Sequence, residues 1–273
     1  MGSIRLIAMD MDGTLLNSAH ETTRHTRGVL ARAAERGITL ALCTGRCLSE
    51  LREHLLSLDM VRYVIGENGA CVYDVRAGRA IAQRTLPAAA AEDILTRLRG
   101  YDALPQVFVD NVSHMQCAPD SDLSRWHVQD YMPVFRAGSR FIDDALALCR
   151  PRMDQVEKIN AYFAHSQDKA RFGAETETLP VQRIDSLGTG YEISPEGATK
   201  GAGLRALCDH LGLPLESAMA IGDGGNDVDL MRAAGRSVAM GNAIASVRAA
   251  ADYVTYDCDH EGAAAAIERF GAL

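Results

Sequence analysis

Ile4-Arg5-Leu6-Ile7-Ala8-Met9-Asp10-Met11-Asp12-Gly13-Thr14 sets a short apolar run directly against an acidic turn. Residues 4–9 show little alternation of apolar and polar side chains, the pattern of a strand covered on both faces, as strands of parallel sheets are. Residues 22–36 place Val29, Leu30, Ala33 and Ala34 along one helical face and run into a terminating Gly37. Residues 38–43 form a second buried run. Strand, helix and strand in that order make a βαβ unit, whose crossover is almost always right-handed. Beyond it the pattern predicts a helix over 47–57, a strand over 62–65, and a hairpin from 70–74 and 79–83.

From about Arg84 the texture changes. Pro87 opens a helix to about Leu98, and strand-like pieces follow at 106–110, 112–116, 156–163 and 181–184 with helical pieces between them. This stretch holds the sole tryptophan, Trp126, and a compositional shift in mid-chain points to an inserted second domain. After Tyr191 the α/β rhythm returns: a helix over 199–211, a strand over 217–221, a helix over 226–234, a strand over 236–240, a short strand at 253–255 and a last helix to Phe270. The reading is therefore α/β, a Rossmann-like parallel-sheet core made of residues 1–83 and 191–273, with an α/β cap inserted at 84–190.

At 273 residues, with 47% hydrophobic and 23% charged side chains, the chain has the composition of an ordinary globular protein and not that of a disordered, collagenous or coiled-coil one. Its net charge of -8, with Lys and Arg dispersed singly, argues against nucleic acid and anionic membrane as partners. No apolar run approaches the roughly 18 residues of a membrane span, and Asp10 interrupts the early apolar stretch before it reaches signal-peptide length. The expected location is the cytoplasm. Seven scattered cysteines with no Cys-x-x-Cys pair fit buried thiols in a reducing compartment, not a zinc site.

Ligands of open parallel sheets bind at the carboxyl ends of the strands. There the sequence places Asp10-Met11-Asp12-Gly13-Thr14 after the first strand, Thr44-Gly45-Arg46 after the second, and Gly222-Asp223-Gly224-Gly225-Asn226-Asp227 after the strand at 217–221, with Lys200 at a helix start. Asp10, Asp12 and Asp223 at one sheet edge would raise one another's pKa unless a cation intervened. A few carboxylates without His or Cys suit magnesium, which takes oxygen ligands and shares itself with a substrate phosphate. The remaining groups suit phosphoryl transfer, where catalysis is positioning and charge neutralisation. Thr44 offers a hydroxyl, Gly45 lets main-chain amides approach, Lys200 supplies positive charge and Asn226 an amide donor. Asp10 can attack phosphorus in line to form an aspartyl-phosphate, and Asp12 can protonate the leaving oxygen and then activate water.

Taken singly these motifs are weak. Asp-x-Asp-Gly-Thr is a common turn sequence, Thr-Gly-Arg is nearly uninformative, and a Lys before a helix usually faces solvent. Their conjunction, in order and at strand ends, is what carries the reading. Asn111, His114, His165 and Arg183 could reach a sugar, but a solvated surface role weighs more for each.

Together the motifs resemble those of the haloacid dehalogenase (HAD) superfamily of phosphatases, and within it the Cof-like type IIB sugar-phosphatase group. The likeness spans essentially the whole chain and extends to Glu67-Asn68-Gly69-Ala70, Ala239-Met240-Gly241-Asn242-Ala243 and Asp259-His260-Glu261-Gly262. It implies Asp10 as nucleophile and Asp12 as acid and base. Magnesium would be held by the Asp10 side chain, the Asp12 main-chain carbonyl and Asp223, with Asp227 in support. The phosphoryl group would be gripped by Thr44, Lys200 and Asn226 with main-chain groups of Met11 and Gly45, and the cap would choose a small phosphorylated metabolite. A phosphomutase with the same core chemistry, and a non-hydrolytic aspartyl-phosphate switch, stay open as alternatives.

Overall fold

The structure, a computed structural model, describes residues 3–186 and 189–271. Two sheets divide it. The first has eight strands: β1 (Leu6–Met9), β2 (Thr39–Cys43), β3 (Tyr63–Gly66), β4 (Cys71–Asp74), β5 (Arg79–Gln83) and, from the last third of the chain, strands over Ala218–Gly222, Arg236–Ala239 and Tyr253–Val254. The second has six: β6 (Ala103–Val109), β7 (Val112–Met115), β8 (Ser139–Phe141), β9 (Val156–Phe163), β10 (Val181–Ser186) and β11 (Gly190–Pro195). In chain order the last three strands of the first sheet are β12, β13 and β14.

The first sheet runs β14-β13-β12-β1-β2-β3-β4-β5, with neighbours from β14 to β3 parallel and β4 antiparallel to β3. Every residue of β1, β3 and β12 is buried, which is why these strands read as unbroken apolar runs. The predicted helix over 22–36 forms at Arg24–Glu35. Thr23 caps it by accepting a hydrogen bond from the Thr26 amide, and Thr26, Val29, Leu30 and Ala33 form its buried face. The next helix, Leu48–Ser57, also forms where the pattern places it.

The second sheet, ordered β10-β11-β9-β6-β7-β8, is antiparallel except between β7 and β8. One face, with Val107, Ile159, Ala161, Phe163 and Ile193, packs an apolar core that includes Ala91, Ile94 and Leu95 of the Ala88–Leu98 helix and Phe172 of the Ser166–Glu175 helix. Alternate residues of the same strands are buried but polar: Asn160 donates to Gln106 at 2.9 Å, and the Tyr162 hydroxyl reaches the same Gln106 oxygen at 3.0 Å.

Besides the boundary residue Gln83, the compact units differ from the expected segments at two places. One unit comprises the residues up to Gly45, His54–Ala82 and those from Thr199 on; the other comprises Arg46–Glu53 and Gln83–Ala198. Residues 191–198, expected in the core, belong to the second unit because β11, which the periodicity missed, pairs with β9 and β10. Residues 46–53 join it because Gln106 donates to Glu50 at 3.0 Å and the backbone at Gly138 packs against Glu50 too closely for a side chain. The solvated reading of the cap's polar residues holds for His165, which is exposed, but not for the other three. His114 is buried, with Nδ1 on the Val112 carbonyl, the Asn111 amide donates to Glu157, and Arg183 donates to the Gly173 carbonyl. Among the described residues no helix is long and apolar enough to cross a membrane.

Candidate active site

Parallel pairing assembles the acidic cluster. The register Met9↔Ile221 aligns the ends of β1 and β12, and the Asp10 amide continues the ladder to the Ile221 carbonyl at 2.9 Å. Asp10 and Asp223, 213 positions apart in the chain, therefore leave the sheet side by side. The chain after Asp10 turns at once: the Met11 carbonyl accepts from the amides of Thr14, Leu15 and Leu16. Gly13 has φ +79°, and a Cβ there would lie 2.6 Å from an Asp223 oxygen, so both backbone and space require glycine. Buried Thr14 then donates its hydroxyl to Asp223 Oδ1 at 2.8 Å.

Lys200 begins the helix Lys200–Leu211, capped by Thr199, whose hydroxyl oxygen accepts from the Ala202 amide. Its ammonium is fully buried and bridges Asp10 Oδ1 at 2.5 Å and Asp227 Oδ1 at 2.6 Å. The other Asp227 oxygen accepts the amides of Asp223 and Gly224, each at 2.9 Å. Asp227 thus closes the 222–227 turn on itself and on Lys200. A side chain at Gly222 would strike its carboxyl at 2.5 Å.

Oxygens of Asp10, Asp223 and Asp227 lie within 4.8 Å of one another. Burial raises the Asp10 pKa well above the usual carboxylate range; Lys200 opposes this and Asp227 adds to it. Burial likewise raises Asp223, against the Thr14 hydrogen bond. For Lys200 burial acts downward, but Asp10 and Asp227 more than reverse it, so the ammonium stays charged. Three carboxylates face one ammonium here, and the repulsion among them adds to burial in lifting Asp10 and Asp223. A hard dication bound by oxygen would relieve that repulsion, so the donor set fits magnesium.

The other expected residues fall into two groups. Thr44 is buried at the end of β2, and the Asn226 side-chain amide approaches the Thr44-Gly45 turn through Asn68, to which it donates at 2.9 Å. The Met11 carbonyl is taken up by the turn, so any contact it makes with a phosphoryl group would go through its N–H. Asp12 is exposed, and its carboxylate is outside the three-carboxylate cluster. Two contributors escaped the sequence reading of the chemistry. Asn242 donates to the Gly13 carbonyl at 2.8 Å and to Asp223 Oδ2 at 3.3 Å, and Asn68 receives Asn226. Both lie in stretches that carried the resemblance, but neither has a residue type that announces a role.

A sequence profile of haloacid dehalogenase-like hydrolases matches residues 7–267. The chain belongs to this family. This HAD-like hydrolase is 30% identical to Phosphatase YwpJ of Bacillus subtilis over 96% of its own length and 98% of that protein. It is 32% identical to an HMP-PP phosphatase of Citrobacter koseri over 88% of its length and 85% of that protein. It shares its fold with a HAD subclass IIB sugar phosphatase, with TM-score 0.80 at 23% identity, covering 98% of this chain and 100% of that one. The chain is a HAD-like phosphatase with the parallel-sheet core and inserted cap of that fold.

Proposed function

We propose that this HAD-like enzyme is a cytoplasmic, magnesium-dependent phosphatase that hydrolyses small phosphorylated metabolites, most simply sugar phosphates, through an aspartyl-phosphate on Asp10. The observation that carries the reading is the buried Asp10, gripped by Lys200 through one oxygen, with Asp223 and Asp227 around it and a charge excess that a dication would balance. Lys200 holds Asp10 Oδ1 and leaves Oδ2 as the attacking atom. That oxygen forms a bond to phosphorus as the bond to the ester oxygen breaks. Asp12, exposed two positions on, gives its proton to the departing alcohol. In the second half Asp12 takes a proton from water, whose oxygen displaces Asp10 from phosphorus and frees inorganic phosphate. Thr44, the Lys200 ammonium, the Asn226 amide and the N–H groups near Met11 and Gly45 would hold the phosphoryl oxygens. Asp10, the Asp12 carbonyl and Asp223 would hold the magnesium, with Asp227 in support. Bound there, the ion would neutralise charge on the transferring group.

The small-metabolite part rests on the family and on relatives named as phosphatases, one of them an HMP-PP phosphatase. The test is turnover of an aryl phosphate with and without magnesium in wild type and Asp10→Asn. Magnesium-dependent release of phosphate is expected, and the variant should lose at least ~10³-fold in kcat. Turnover that survives Asp10→Asn sinks the covalent route. Conservation of total organic phosphate would instead favour the mutase, and a stable phospho-form with no repeated turnover would favour the switch.

A further inference from the structure

Residues Glu67, Asn68 and Gly69, directly after β3, have φ values of +53°, +55° and +96°. Two consecutive non-glycine residues in the left-handed region are costly unless surrounding structure holds them there. What surrounds this turn is the phosphoryl end of the site. The Asn68 amide donates to the Thr44 carbonyl at 3.0 Å, and the Thr44 amide donates to Ile65 at 2.9 Å. A Cβ on Gly45 would lie 3.2 Å from Asn68 Oδ1, so that side chain is packed against the Thr44-Gly45 turn. The same Oδ1 accepts from Asn226 Nδ2 at 2.9 Å. A Cβ on Gly69 would sit 2.0 Å from the Thr199 carbonyl and 3.2 Å from the Lys200 nitrogen, so the turn also rests on the start of the lysine's helix.

We propose that Asn68 is a positioning residue for the phosphoryl site, orienting the Asn226 carboxamide and fixing it in register with Thr44-Gly45. Asn226 is exposed and would otherwise be free to rotate, while Asn68 is 4% exposed and held by the turn. A carboxamide presents two N–H donors on one end and an acceptor oxygen on the other, and only the nitrogen end attracts a phosphoryl oxygen. Accepting one N–H at Asn68 keeps Nδ2 on the Gly45 side and leaves the second N–H to donate. The Asn226 oxygen is turned the other way, 3.0 Å from where a Gly224 Cβ would be. The left-handed backbone follows from the same requirement, because one residue must give its N–H to Thr44 and its side chain to Asn226.

The inference rests on the phosphatase reading, and its test separates the two. Asn68→Gly keeps the left-handed backbone available and removes only the carboxamide. We would measure aryl-phosphate kcat/KM, inhibition by inorganic phosphate and melting temperature for wild type, Asn68→Gly, Asn226→Ala and the double variant. Asn68→Gly should cost at least ~10-fold in kcat/KM and weaken phosphate inhibition in an otherwise wild-type protein, yet under about twofold in the Asn226→Ala background. Asn68→Asp, which keeps an acceptor oxygen and tolerates positive φ, should restore the dependence on Asn226. The inference is overturned by equal losses in both backgrounds, by a glycine variant within twofold of wild type, or by an aspartate variant in which Asn226→Ala costs no more than in the glycine variant. If Asn68→Gly does not fold, Asn68→Ala takes its place in the cycle under the same criteria. A wild type without Asp10-dependent turnover would instead sink the phosphatase reading, and phosphate binding measured by calorimetry would still read the cycle.

Discussion

Asp10 and Asp12 are two positions apart and differ in surroundings: one is buried under Lys200, the other is exposed. A nucleophile gains from a fixed, partly desolvated position, whereas a group that exchanges protons with a leaving alcohol and then with water needs access to both. If Asp12 is the acid, Asp12→Asn should slow hydrolysis of an alkyl phosphate by ~10²–10⁴-fold. An aryl phosphate whose leaving oxygen needs no proton should suffer clearly less. Paired kcat measurements on the two esters check this, and equal losses would argue against the role. At this scale the residues that cluster around Asp10 could be picked out from the chain because their chemistry is unusual: closely spaced carboxylates, a lysine at a helix start, glycine turns. Asn68 and Asn242 could not, since an asparagine in a turn looks the same whether it aims at a carboxylate or at solvent.

The β4–β5 hairpin shows how an element is pinned by one side chain. The buried Asp74 carboxylate accepts the amides of Arg76 and Ala77 through one oxygen and the Arg62 guanidinium, at 2.9 Å, through the other. The hydrogen bond from Arg62 is the main reason its pKa lies below the usual carboxylate value. A carboxyl with a depressed folded pKa adds stability above its unfolded value of about 3.9 and loses it as pH falls through the folded value. Asp74→Asn should therefore lower stability at pH 7 by about 1–2 kcal/mol. The gap to wild type should narrow as pH drops below about 4, measured by denaturant unfolding across pH. A gap independent of pH would show that the charge contributes nothing. Most elements of the first sheet were legible because parallel strands are buried on both faces and helices carry a 3.6-residue stripe. β11 was not: Gly190-Tyr191-Glu192-Ile193-Ser194-Pro195 mixes glycine, proline and a charge, and it is a strand because β9 and β10 flank it.

For the molecule as a whole, the excess of negative charge among Asp10, Asp223 and Asp227 should make stability depend on divalent metal. Magnesium at about 100 times its dissociation constant should add about 2.7 kcal/mol to the folded state, seen as a rise in melting temperature that a chelator reverses. Asp223→Asn should abolish most of that rise, and a rise unchanged in the variant would place the ion elsewhere. The chain alone determined the α/β class and singled out the carboxylates and the lysine that the fold gathers, Asp10, Asp223, Asp227 and Lys200, because periodicity and side-chain chemistry are local properties. Tertiary structure alone decided that Lys200 spends its charge on Asp10 and Asp227, that Asp227 clamps a turn, and that Asn226 is held by a left-handed residue after β3. Apart from the turn clamp, those are contacts across 27 to 190 positions of sequence, set by strand register and close packing, and no local pattern encodes which distant partner a buried polar group will meet.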